Sequence, residues 1–183
     1  MERTELALIQ RAIQGQPDAW QALVRTHEKR VYNFGLRMTG SVDDARDLLQ
    51  EVFLSAYQNL AGFRQDAQFS TWLMRIAYHR AIDQSRRRKS RDADPLPDPP
   101  DTADQRPGPA AETQSQQRNR QLQSWLSALS REQRVVIELK FFQEMTFDEI
   151  AGLEGISANT AKTRFYAGLA RLKTLMGARD DLF

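Results

Sequence analysis

Apolar residues recur at helical spacing along most of the chain, and capping or turn-forming residues separate one periodic stretch from the next. The clearest stretch covers residues 43–60, where the apolar positions fall on one helical face: Ala45, Leu48, Leu49, Val52, Phe53, Ala56, Tyr57 and Leu60. A long stretch between Asp18 and Gly40 and a short one over Glu5–Gln14 have the same spacing. The pattern predicts an all-α fold.

This periodicity stops in a segment of 24 residues, 91–114. Six of the seven prolines of the chain lie there among several aspartates, and Leu96 is its one large apolar residue. A segment with so few apolar side chains cannot bury a core, so we expect a disordered linker that reaches roughly 75 Å when extended. The chain is therefore predicted to form two small helical domains, residues 1–90 and 115–183, joined by this Pro/Asp-rich linker.

The second predicted domain contains two helices joined by a tight turn, Thr146–Leu172. Thr146 and Glu149 have the spacing of a capping box at the start of the first helix. Gly155 can adopt the left-handed conformation that ends this helix, and Ser157 is placed to cap the second one. The pattern is typical of a helix-turn-helix unit.

Polar side chains surround the start of the second helix of this unit. Asn159, Thr160 and Thr163 lie away from its apolar stripe, and Lys162 and Arg164 flank the stripe on opposite sides. A recognition helix presents such side chains to base edges and phosphates in the DNA major groove. The alternative is an ordinary helical hairpin with a solvated polar face. The capped turn together with these side chains favours DNA binding.

The helix predicted over residues 43–60 has an unusual polar face. Asp47, Gln50 and Glu51 lie opposite the apolar stripe, and Leu54 lies among them. A polar face is usually just solvated. An exposed leucine among acidic and amide side chains is, however, a small apolar anchor that a partner helix can use.

An aromatic loop and a basic helix follow. The loop Gly62–Phe69 holds two phenylalanines, and the next helix interleaves Tyr78 and His79 with arginines before the run Arg86–Lys89. Aromatic and cationic side chains in this arrangement suit stacking on unpaired bases and contact with phosphates. The alternative is the basic end of an amphipathic helix.

The net charge of +2 conceals an uneven distribution. Residues 75–91 contain seven Lys or Arg and one acid, whereas residues 92–112 contain six acids and one Arg. The basic block indicates binding to a polyanionic partner. The acidic block beside it would be repelled by the same partner.

Composition argues against several other classes of protein. The chain has no Cys and two His, which excludes disulfides, thiolate catalysis and Cys-based zinc sites, and His27 falls on an apolar stripe, as a packed histidine does. We find no constellation for a metal, a cofactor or a catalytic nucleophile, so an enzyme acting on nucleic acid is disfavoured and no small-molecule substrate is expected. There is no bilayer-spanning run and no signal peptide near Met1, so a cytoplasmic location is expected.

Taken together, three blocks resemble the extracytoplasmic-function group of bacterial sigma factors. They are DDARDLLQEVFLSAY, FSTWLMRIAYHRAIDQSRRR and LSREQRVVIELKFFQEMTFDEIAGLEGISANTAKTRFYAGLARL. Their order and separation are more specific than any one of them. The resemblance covers nearly the whole chain outside the linker. It implies a non-enzymatic two-domain protein that binds RNA polymerase core, through the β′ coiled coil and the β flap, and directs it to promoters.

The resemblance also implies roles for particular residues. The first block would dock on the polymerase through Asp47, Gln50, Glu51 and Leu54. The second block and its preceding loop would melt the minus-ten element and hold an extruded base, with candidate contacts at Phe63, Phe69, Trp72, Tyr78, His79, Arg80, Arg86 and Arg87. The third would read the minus-thirty-five element through Ser157, Asn159, Thr160, Lys162, Thr163 and Arg164.

Two positions depart from the family pattern. His79 stands where many relatives have Asn, and Glu154 precedes the turn glycine where Leu is frequent. The family further implies control by an anti-sigma factor, often membrane-bound, that wedges between the two domains. The competing hypothesis is a helix-turn-helix repressor or activator that never binds polymerase, which leaves the acidic helix with Leu54 and the aromatic loop unexplained.

Overall fold

The computed structural model describes residues 2–92 and 114–180, and both parts are helical. The first part, here called the first domain, contains α1 (Glu2–Ile13), α2 (Pro17–Thr39), α3 (Val42–Asn59) and α4 (Phe69–Asp92), with a 3-10 turn at Leu60–Gly62.

The second part, here called the second domain, contains four further helices and one π-helical turn. They are α5 (Gln114–Ser127), α6 (Arg131–Ile137), the π turn (Glu138–Phe142), α7 (Phe147–Glu154) and α8 (Ala158–Asp180). The helices of each domain pack chiefly on one another, so the predicted all-α fold with two small domains is confirmed. Most of the predicted linker, residues 93–113, lies outside the described residues.

Local capping explains where several helices begin and end. Gly40 ends α2 and Gly155 ends α7, both in the left-handed conformation, with φ of 75° and 67°. Complete capping boxes start α6 at Ser130 and α7 at Thr146. In each, the N-cap hydroxyl accepts a hydrogen bond from the backbone N–H of the third helical residue, and the N-cap backbone N–H donates to the side chain of that residue. The predicted helix-turn-helix is therefore confirmed at α7 and α8.

The core of the first domain forms around α2, which packs against α1, α3 and α4. Phe34 on α2 is fully buried. At Gly35 a Cβ would lie 3.2 Å from the Cα of Ala45, so the missing side chain lets α2 approach α3 closely. His27 is buried and its Nε2 lies 2.7 Å from Glu5 Oε1, which makes it a packed histidine, as its position on the stripe predicts.

The π turn changes which side chains of the second domain are buried. The helical spacing predicts that Lys140 and Phe141 continue the core, but Phe141 is 68% exposed, and Glu138 and Leu139 are buried instead. A π turn inserts one extra residue into the helix, so every later side chain rotates to a different face. Phe141 is turned outward in this way, whereas Glu138, at the start of the turn, is a buried carboxylate.

The two domains contact each other directly. One apolar cluster includes buried residues of both, among them Leu48 and Val52 of α3 and Val136 and Leu139 of the second domain. Polar contacts also join α2 to Glu138 of the π turn and to Gln143 just after it. Within the described ranges, no helix combines the length and the apolar character that crossing a bilayer requires.

Candidate nucleic-acid and partner interfaces

The structure brings the six predicted recognition residues together on the turn and the first two turns of α8. Ser157 Oγ accepts a hydrogen bond from the backbone N–H of Thr160 at 3.0 Å, and Thr163 Oγ1 donates to the carbonyl of Asn159 at 3.0 Å. These contacts hold the short side chains close to the helix. Asn159, Thr160, Thr163 and Lys162 are exposed.

Arg164, the sixth of these residues, turns back toward α7. Its Nη1 lies 3.4 Å from Oε2 of Glu154, and its side chain is 30% exposed. The guanidinium is therefore partly neutralised in this conformation. Lys162 is the nearby cation that faces solvent, with its Nζ 5.9 Å from the centre of the Phe147 ring.

The outer face of α3 is open. Asp47 and Gln50 are exposed, and Leu54 is 60% exposed, so the apolar anchor predicted from the sequence faces solvent. Glu51 is half-buried, and its Oε1 lies 3.7 Å from Nη1 of Arg87 on α4. This pair connects the predicted polymerase-binding face with the basic end of α4.

Phe63 and Phe69, two of the candidate minus-ten residues, pack into the core of the first domain. Both rings are buried, at 7% and 2% exposure, and they meet edge to face with centroids 5.6 Å apart. Trp72 packs on both and is half-buried. Both rings therefore hold the segment Gly62–Phe69 against the core of the first domain.

A groove of about 700 Å³ lies over this aromatic cluster. Its walls come from α1, α2 and the loop before α4, including Thr4, Thr26, Gln65 and Gln68, and the two phenylalanines form part of its lining. Apolar surface with a few polar groups at the rim is the usual character of a small-ligand site.

Tyr78 is buried at the domain interface. Its hydroxyl donates a hydrogen bond to Oε1 of Glu154 in the second domain. Burial raises the pKa of the Tyr78 hydroxyl well above its ordinary value, and the hydrogen bond to the Glu154 carboxylate adds to this rise. The aromatic face of Tyr78 is therefore withheld from solvent while the domains are in contact.

The other predicted minus-ten residues lie around Tyr78 and along α4. His79 is exposed beside it, with ring centroids 5.3 Å apart. Arg80 is half-buried and donates from Nη2 to Oγ of Ser55 at 3.2 Å. Arg86 and Arg87 are exposed near the basic end of the helix.

Comparison with known proteins gives concordant matches in both domains. A model of Sigma-70 region 2 matches residues 23–91, and a model of Sigma-70 region 4 matches residues 119–172. The ECF RNA polymerase sigma factor SigM of Mycobacterium tuberculosis is 30% identical over 176 residues, which cover 96% of this chain and 86% of SigM. The chain belongs to the extracytoplasmic-function sigma factors. As such it binds RNA polymerase core and directs promoter-specific initiation of transcription.

Further similarities agree with this family. The sigma factor CarQ of Myxococcus xanthus is 34% identical to this sigma factor over 164 residues, covering 89% of this chain and 92% of CarQ. Among solved structures, the sigma factor RpoE in complex with the anti-sigma factor NepR from Bartonella quintana has the same fold. Its TM-score is 0.66 at 21% identity, covering 86% of this chain and 96% of that one.

The most prominent polar contacts in this sigma factor were not expected from its sequence. Arg30, Arg37, Glu138 and Gln143 form a network between the domains. The sequence contained one weak indication of this network: Glu138 is an acidic residue inside the apolar run VVIELKFF. Among the residues that the structure describes, no group of three or more His, Asp or Glu side chains is arranged to hold a metal ion.

Proposed function

We propose that this sigma factor contacts RNA polymerase through the outer face of α3. The observation that carries this proposal is the 60% exposure of Leu54 in the middle of a helix whose opposite face is buried. An exposed leucine contributes no hydrophobic free energy to folding. A partner that covers its side chain gains that free energy on binding. Asp47 and Gln50 surround it with polar groups, the usual composition of an interface rim.

The first domain is the proposed reader and melter of the minus-ten element. Extruding a base costs a few kcal/mol, so a site that performs this step needs both a pocket and nearby cations. The groove over Phe63 and Phe69 supports the first requirement. Arg86 and Arg87, exposed roughly 25 Å further along α4, are proposed to contact phosphates of the adjoining DNA. Tyr78 and His79 are proposed to reach the melted strand once the second domain has moved away.

The second domain is the proposed reader of the minus-thirty-five element. Exposed Asn159, Thr160 and Thr163 at the start of α8 are proposed to meet base edges, and Lys162 a phosphate. The contact of Arg164 with Glu154 has to be exchanged for a contact with DNA. Contact of the second domain with the β flap of polymerase is part of the same proposal.

The division into residues 1–90, 91–114 and 115–183 is likewise proposed, and it agrees with the two matched family regions. We propose a cytoplasmic location, where RNA polymerase core acts, and a role in binding without catalysis by this chain.

An anti-sigma factor is the proposed regulator, supported by the complex of RpoE with its anti-sigma factor NepR. The sequence-based hypothesis has such a partner wedged between the domains. In the described conformation the second domain itself contacts α2 at that place. An inhibitor would therefore either displace this contact or clasp the closed chain from outside.

The experiment that tests the proposed function adds the purified chain to RNA polymerase core on a genomic promoter library and maps the transcript starts. The expected result is a set of starts that depend on the chain and share two motifs at a fixed separation. Tight DNA binding by the chain alone, with no new starts, would instead identify a repressor or activator.

A further inference from the structure

A buried hydroxyl lies on the otherwise apolar inner face of α3. Ser55 is 8% exposed, and the residues near it on this face, Val52 and Ala56, are fully buried. A hydroxyl at such a position costs free energy unless it is hydrogen-bonded. Nη2 of Arg80 on α4 donates to its Oγ at 3.2 Å. The side chain of Ser55 is therefore satisfied by one of the candidate minus-ten residues.

The short side chain of Ser55 gives the guanidinium room to reach α3. Arg80 is half-buried, and its contact with Oγ lies against the backbone of α3. A longer side chain at position 55 would fill the space into which the guanidinium extends. The carbonyl of Ser55 also accepts a hydrogen bond from Nδ2 of Asn59 at 2.8 Å, which holds this end of α3 in place.

The hydrogen bond to Ser55 leaves the charge of Arg80 available. Among the residues that the structure describes, no carboxylate forms an ion pair with Arg80. Because serine is neutral, it orients the guanidinium without offsetting its charge. A guanidinium has five N–H donors in a fixed plane, and a phosphate can accept two of them at once. The donors of Arg80 that do not contact Ser55 can therefore bind a phosphate.

Arg87 is held differently, two turns further along the same helix. Its Nη1 lies 3.7 Å from Oε1 of Glu51, and its side chain is 60% exposed. An exposed pair of this kind is weak, and its carboxylate offsets part of the positive charge. Arg80 thus combines a fixed direction with an uncompensated charge, whereas Arg87 has neither.

A fixed direction favours binding, because a free arginine loses conformational entropy when it is immobilised at an interface. The contact with Ser55 restricts the guanidinium of Arg80 before DNA arrives. Arg80 directly follows Tyr78 and His79 in α4, the two aromatic candidates for contact with the melted strand. The guanidinium is therefore restrained next to the side chains that are proposed to meet this strand.

We propose that Ser55 is a positioning residue of the minus-ten site, which holds Arg80 in the orientation that binds a phosphate of the melted strand. Ser55 acts through Arg80 and needs no contact with DNA of its own. This inference rests on the proposed function, in which the first domain binds the melted minus-ten strand.

The test measures how the complex of the chain with RNA polymerase core binds a single-stranded oligonucleotide that carries the minus-ten motif found by mapping transcript starts. Ser55→Ala should weaken binding by about 3–10-fold, the loss expected for one hydrogen bond. Ser55→Thr keeps the hydroxyl and should restore most of the affinity. Thr39→Ala is the matched control, because it removes a half-buried hydroxyl of α2 that bonds to the Gly35 carbonyl. It should leave the affinity unchanged.

Combined variants separate positioning from packing. Arg80→Gln should weaken binding further and lower the slope of log affinity against log salt concentration by about 0.7, the value for one phosphate contact on a single strand. In the Arg80→Gln background, Ser55→Ala should change the affinity by less than about twofold, because the two changes act on one contact. A packing role for Ser55 would give the same loss in both backgrounds.

A second probe checks that the effect is confined to the first domain. This probe is a duplex that carries only the minus-thirty-five element, for which the second domain is the proposed reader. The complex should bind it equally well with Ser55→Ala, with Arg80→Gln and with the unaltered chain. A general loss of folding would weaken binding to both probes.

Three results would overturn the positioning role: unchanged binding of the single strand by Ser55→Ala, a loss that persists in the Arg80→Gln background, or an equal loss in a stably folded Ser55→Thr chain. Failure of the proposed function gives a different result, because the unaltered chain then neither binds polymerase core nor produces new transcript starts. In that case oligothymidylate and the chain alone replace the complex and the motif. The same combination of variants then shows whether Ser55 acts through Arg80 on single-stranded DNA.

Discussion

Arg37 and Glu138 are 101 positions apart in the chain, yet the guanidinium of one forms two hydrogen bonds with the carboxylate of the other. The pair joins the first domain to the second at a site where the carboxylate is 1% exposed. Attraction in such a pair is largely offset by the loss of hydration. The contact therefore specifies the relative orientation of the domains and adds little to the stability of their interface.

Leu54→Asp combined with Gln50→Ala should weaken binding to polymerase core by about 30-fold or more, the loss expected of an interface hot spot. Both side chains are exposed, so helicity and thermal stability should be retained. Fluorescence anisotropy with labelled chain and circular dichroism measure the two quantities. Ile13→Asp, at a 46% exposed position on α1, is the matched control. Loss of helicity in the double variant would place Leu54 in the core.

Lys162→Ala should weaken binding to the minus-thirty-five element and reduce its salt dependence. One lost phosphate contact lowers the slope of log affinity against log salt concentration by about 0.9. Affinities at four or five salt concentrations give this slope. Lys173→Ala, exposed three turns further along α8, is the control and should leave it unchanged. An equal slope for Lys162→Ala would exclude a phosphate role for this side chain.

Phe69→Ala should destabilise the first domain by about 3–5 kcal/mol, because it empties a core position at 2% exposure. Phe69→Leu keeps an apolar side chain there and should cost less. If the role of Phe69 is packing, the leucine variant melts promoter DNA normally, as measured by permanganate reactivity of unpaired thymines. A stable leucine variant that no longer melts DNA would show that the aromatic ring itself is needed.

Gly168→Ala should destabilise the second domain. A Cβ at this position would lie 2.6 Å from Cδ1 of Ile137 and 3.3 Å from Cβ of Gln133. Overpacking costs about 1–3 kcal/mol, which exceeds or equals the gain of about 1 kcal/mol in helix propensity. Gly177→Ala on the same helix has no atom within 4 Å and should be stabilising. Denaturant unfolding compares the two, and a stabilised Gly168→Ala would contradict the packing.

Local features of this chain could be predicted from its sequence. Thr146 and Gly155 mark the ends of α7, and helical spacing placed Leu54 on a polar, exposed face. Helix ends and helix faces depend on interactions between residues about four positions apart or fewer. The local sequence is therefore enough to predict them. The two-domain division followed in the same way from the loss of apolar residues after α4.

Tertiary structure decided what depends on distant residues. The sequence pattern placed Phe141 in the core, but the π turn exposed it. Glu138, at the start of this turn, is buried, and its partner Arg37 belongs to the other domain. Phe63 and Phe69 are core residues because Trp72 of α4 packs on both rings and His27 of α2 packs on Phe69. Periodicity reports which face of a helix is apolar, and it carries no information about which remote helix covers that face. Long-range packing makes that choice, and with it the closed arrangement of the two domains.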